Sequence, residues 1–145
     1  MLAKKILFSL GILTSLPTYS APYDTAIAIS HCAVQMAMLA ALTADKTAQE
    51  AILERGNGWE VAAVMELTLD GWRSEKAWTI VKSEISTSQK TLTLELKSKV
   101  TGTTMAQKQQ QFTEFSDYVL GNATDCLIYN DRVELLIRKM RESQK

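Results

Sequence analysis

The chain has 145 residues, 46% of them hydrophobic and 22% charged, and its 16 Lys and Arg balance 16 Asp and Glu. That length builds one domain, and the apolar fraction with three Trp excludes wholesale disorder. Neutrality argues against a nucleic-acid partner, because neutralising phosphates needs a basic excess that this chain lacks.

Residues 1–20 read as an export signal. Lys4 and Lys5 make a basic start, Ile6 to Leu16 is an apolar run too short to span a bilayer, and Leu16-Pro17-Thr18-Tyr19-Ser20 supplies a breaker and small residues. Cleavage after Ser20 leaves 21–145 as a single periplasmic domain with no membrane attachment; an uncleaved anchor is the alternative. The segment removes two Lys and no acid, so 14 basic and 16 acidic residues remain, net −2. Cys32 and Cys126 both stay. In an oxidising compartment, two Cys in a small domain read as one disulfide, the alternative being two buried thiols. Closing a loop of roughly 95 residues is worth about 4–5 kcal/mol in the chain-entropy model.

No proline follows Pro22, so nothing forbids long helices. Asp24 or Thr25 can cap a helix from Ala26 to Leu42 that is apolar almost all round and belongs at the centre of a bundle. Thr43-Ala44-Asp45 reads as a break and a new cap, leading a helix to Arg55. Gly56-Asn57-Gly58 reads as the turn that ends it. Trp59 to Leu69 resumes the helical period, Gly71 marks a turn, and Trp72 to Ile85 is a further helix. From Ser86 to Thr104, Leu92, Leu94 and Leu96 alternate with polar residues. Helix is favoured because Leu, Glu and Lys are good helix formers; a short β-hairpin over 79–100 is the alternative. Thr103 or Thr104 can cap a helix running to Tyr129, with a kink at Gly121, and Asn130-Asp131 caps the last one. The Lys108-Gln109-Gln110-Gln111 run reads as a solvated face rather than a low-complexity tract. The fold class is therefore all-α, a small bundle of about five to six helices with one disulfide.

The chemistry is sparse. His31 is the sole histidine and reads as a packing residue on the apolar first helix. No phosphate loop, nucleophile elbow or H-E-x-x-H motif occurs, and paired Cys leave too few ligands for a metal, so neither cofactor nor metal is expected. Glu54, Glu60, Glu66, Asp70 and Glu75 cluster in sequence, which keeps a small cell-wall hydrolase with two carboxylates as an alternative. Most of these acids alternate with Lys or apolar residues, as solvated positions do. Trp72 and Trp78 read as core, while Trp59, just past the expected turn, reads as an interface anchor.

The C-terminal stretch FTEFSDYVLGNATDCLIYNDRVELLIRKM joins an aromatic-bearing helix, Cys126-Leu127, Tyr129, a polar pair and an amphipathic closing helix. Together with Cys32 in an Ala-rich first helix after a signal peptide, it resembles the periplasmic amidase immunity proteins of type VI secretion systems. The resemblance implies an all-helical protein without enzymatic activity, which binds and blocks a peptidoglycan-degrading amidase effector, commonly as a homodimer, through a protruding loop. For that loop the residues favour Gly56, Asn57, Gly58 and Trp59, with Glu54 and Arg55 as rim contacts, and the Ser86 to Lys90 connection as second choice. A periplasmic helical adaptor or chaperone-like module is the alternative binding function.

Overall fold

The computed structural model describes residues 22–145; the expected signal segment 1–20 lies outside them. Five α-helices follow one another: α1 (Pro22–Leu42), α2 (Lys46–Leu69), α3 (Ser74–Lys99), α4 (Met105–Asp125) and α5 (Asn130–Ser143). A short 3-10 helix, Cys126–Tyr129, joins α4 to α5 and is called the elbow below. No non-helical residue separates α4, the elbow and α5, so loops divide the described residues into four helical stretches. The fold is all-α with one disulfide.

Several expected boundaries move. The helices expected on either side of Gly56–Gly58 are one, α2, which shortens the expected count. Residues 79–99 belong to α3 and Val100 caps it, so the favoured helix holds and the hairpin alternative and the Ser86–Lys90 connection both give way to helix interior. Leu92 is buried and Leu96 half-buried, four residues apart on the core side, while Leu94 stays 65% exposed. An alternating pattern thus sits on a helix whose other face is solvated. α1 already includes Asp24 and Thr25, beginning at Pro22, where a missing N–H costs nothing. Asn130 is likewise inside α5 rather than capping it with its side chain.

Other local signals act as read. The Asp45 carboxylate accepts from the Ala48 N–H at 2.7 Å and starts α2. At its other end Gly71 takes φ 93°. The Trp72 N–H reaches the Leu67 carbonyl and the Gly71 N–H the Thr68 carbonyl, each at 3.1 Å, closing α2 with the paired bonds that a left-handed glycine permits.

α1 is the hub, packing on α2, α3, α4 and the elbow. It is also the one described helix long and apolar enough to cross a membrane by length and composition. Here that apolar character serves the bundle: Ala26, Ala33 and Ala40, seven apart, are buried and let α2 approach closely. The main core gathers Ile29, Met36, Trp59, Leu67, Val81 and Leu136, and a second cluster joins Val34, Leu92, Phe115 and Val119. The Cys32–Cys126 disulfide, across 94 residues, ties the middle of α1 to the elbow. A buried bond of this kind fits an oxidising compartment.

Candidate protein-docking sites

The expected binding loop is not a loop. Gly56, Asn57 and Gly58 lie inside α2, and neither glycine has a positive φ. A Cβ on Gly56 would sit 3.4 Å from Met36 Cβ and 3.5 Å from the Ala33 carbonyl oxygen, in α1. One on Gly58 would sit 3.3 Å from Ile137 Cδ1, in α5. Two residues along a helix is about 200° of rotation, so the pair notches opposite sides of α2. Glycine is disfavoured in a helix by about 1 kcal/mol relative to alanine, yet α2 runs on through both. Trp59 follows the same geometry: it is 1% exposed in the main core, so it anchors the bundle rather than an interface. Trp72 and Trp78 pack half-buried against that core.

What the structure does assemble from Glu54, Arg55, Asn57 and Gly58 is one wall of a groove of about 610 Å³, whose other wall is α5. Val61, Val133, Ile137 and Met140 line it with apolar surface. At the rim the Arg55 guanidinium donates to Asn130 Oδ1, and Asn130 Nδ2 donates to Glu134 Oε1 at 2.9 Å. Beyond the groove, Glu66 (4% exposed) accepts from Arg132 Nε at 2.7 Å and from a second guanidinium nitrogen at 2.9 Å. Hydrogen bonding to Glu66, opposed by partial burial and reinforced by its charge, raises the Arg132 pKa above its already high ordinary value. This pair clips α5 to α2.

The projecting connection lies elsewhere, between α3 and α4. Leu96 is the last apolar side chain of α3 packed on the second cluster, and from Thr101 to Gln110 every residue but Gly102 is exposed. This tip is clasped by its own glutamines. Gln111 Oε1 accepts from the Gly102 N–H at 2.7 Å. Gln107 Oε1 accepts from the N–H groups of Thr103 and Thr104 at 3.1 and 3.2 Å, while Thr104 Oγ1 accepts from the Gln107 N–H at 3.2 Å. The last two bonds form a capping box at the start of α4. Behind the tip, Lys99 Nζ sits 4.2 Å from the centre of the Tyr118 ring, whose hydroxyl donates to Glu95 at 3.2 Å. Met105, 79% exposed, stands beside the clasp.

Of this site, the sequence reading reached only the Thr104 cap; Gly102 and the role of the glutamines were missed. The available signal was Thr104-x-x-Gln107, a capping-box spacing. Gln111, expected on a solvated face, instead turns inward to the loop and is half-buried.

The residues considered for chemistry do not converge. His31 is exposed, 3.3 Å from Glu84 of α3, rather than packed among apolar groups. Among the acids, Glu66 is committed to Arg132, and Asp70 caps the C-terminus of α2. Among the described residues no group of three or more His, Cys, Asp or Glu is placed to hold a metal ion. Comparison with family models, curated proteins and solved structures found no match to this chain.

Proposed function

We propose that the protein is a periplasmic inhibitor that binds a peptidoglycan-degrading amidase effector and blocks it stoichiometrically, as an immunity protein does, with the α3–α4 tip as the element that enters the amidase cleft. The observation that carries this reading is the clasp on Gly102, Thr103 and Thr104. An exposed loop that is already ordered loses little conformational entropy on docking, and that surplus appears as affinity. The buried disulfide supports export to an oxidising compartment, and the resemblance at Cys32 and Cys126 supports the amidase as partner and a homodimer as the working form. The α2–α5 groove favours a second reading, a helical adaptor, because its apolar lining suits an amphipathic partner segment.

The test is a titration of the protein into a peptidoglycan digest by the amidase encoded beside its gene. Inhibition should be complete near equimolar protein, and Thr101→Arg with Met105→Glu, both exposed positions, should weaken it at least about 100-fold without unfolding the bundle. Full digestion at equimolar protein sinks the inhibitor reading. Inhibition indifferent to these substitutions moves the contact away from the tip.

A further inference from the structure

Cys126 stands at the vertex of a fork. α4 enters the elbow and α5 leaves it, yet the two helices do not pack on each other. α4 lies along α1 and α3, whereas α5 lies along α2. Each arm buries little: Phe115, Val119 and Ala123 from α4, Val133 and Leu136 from α5. α1 and α2, by contrast, form the most extensive helix pairing of the bundle, with buried residues from Ala26 to Ala40 in α1 and from Gly56 to Leu67 in α2. The covalent tie between the fork and the rest of the bundle is Cys32–Cys126, with both residues 6% exposed.

We propose that this disulfide is a redox gate on both docking sites. With the bond formed, the fork is seated, and the clasped tip and the α2–α5 groove exist. With the dithiol, residues 105–143 come away as one unit while α1 and α2 stay paired. The reason is the balance at each arm. Ordering a residue costs about 1–2 kcal/mol in backbone entropy, and two or three buried side chains per arm offset that only when the vertex is already held in place. Regions with few buried contacts open first, as contiguous units. Both sites need the fork, because α4 supplies Gln107 and Gln111 to the clasp and α5 is one wall of the groove.

Reduction by a dithiol delivers two electrons and two protons to the Cys32–Cys126 bond. One reductant sulfur attacks, the bond breaks, the reductant departs as its own disulfide, and two thiols remain. Burial of both cysteines shields the bond in the folded protein, so the gate is set during maturation. A chain in a reducing compartment lacks both sites, and the same chain acquires them on oxidation. The consequence for amidase inhibition rests on the function proposed above; the seating of the fork does not.

Amide hydrogen exchange read by mass spectrometry tests the gate, comparing the oxidised full chain with Cys32→Ser/Cys126→Ser and with Cys32→Ala/Cys126→Ala, which buries no new hydroxyl. In both variants, exchange across 105–143 should accelerate at least about 100-fold while 46–69 stays within about threefold of the oxidised chain. Acceleration of all helices alike, including outright unfolding of both variants, overturns the proposal, and so does unchanged protection of α4 and α5. Failure of the oxidised chain to inhibit the amidase would count against the proposed function and leave the gate standing.

Discussion

Two glycine-bearing segments carry similar signals and end in opposite structures. Gly56-Asn57-Gly58 has the composition of a turn and lies in the middle of α2, whereas Thr101-Gly102-Thr103 joins two helices in a true connection. The difference is what surrounds each glycine. Gly56 and Gly58 have helical backbones and sit where other helices pack, an added Cβ lying 3.4 Å from Met36 Cβ and 3.3 Å from Ile137 Cδ1. Gly102 also meets its neighbour closely, but that neighbour is Gln107, whose Cβ would lie 2.6 Å away and whose carbonyl carbon 3.1 Å away, within the loop's own clasp. A glycine thus reports either a chain that bends or a chain that is approached, and composition alone does not say which.

The largest effect that would sharpen this contrast is at Trp59. As a core residue 1% exposed, Trp59→Ala should destabilise the protein by about 3–5 kcal/mol in denaturant unfolding. A loss below about 1 kcal/mol, close to the scale of a surface site, would return Trp59 to the expected surface role. Gly102→Ala comes next. Its Cβ meets backbone and the near end of a side chain, so a loss of about 1–3 kcal/mol is expected, with faster amide exchange at Thr103 and Thr104.

The same substitution at Gly58 should have the opposite sign. Its Cβ meets the flexible end of Ile137, and alanine gains helix propensity, so Gly58→Ala should stabilise by about 0.5–1 kcal/mol, measured as a higher Tm. A marked loss of Tm would mean that α2 does turn there. The clip beside the groove gives a further test. Arg132→Gln should cost about 1–2 kcal/mol, since Glu66 is buried while 39% of the Arg132 side chain is exposed and screened. A pKa raised on folding gives stability that is present below the unfolded value and lost only as pH rises through the folded one. Both lie above the pH range in which proteins are handled, so titration of Arg132 should leave this difference constant between roughly pH 6 and 9. A Tm difference that fell across that window would break the assignment.

Much of the fold was legible because its signals are local. Asp45, Gly71 and Thr104 each act through bonds to residues within a few positions, and α1's continuous apolar run marks a central helix whatever packs on it. The site was less legible. Arg55 and Asn130, 75 positions apart, meet only because α5 folds back along α2, and Gln111 reaches Gly102 only once the α3–α4 loop has turned. At Leu92–Leu96 alternation kept a hairpin open beside the favoured helix; Leu92 and Leu96, four apart, share the core face of α3 while Leu94 points outward.

By itself, the sequence determined the helical class, the caps at Asp45 and Thr104 and the presence of two cysteines suited to one bridge, because propensity and capping act over short stretches and a cysteine count is composition. Only the tertiary structure decided that α2 runs unbroken through two glycines, that Trp59 is core, and that the exposed, ordered connection is at Gly102. Those outcomes depend on how closely α1 and α5 approach α2, and no local stretch of chain encodes a distance to a helix that is distant in sequence.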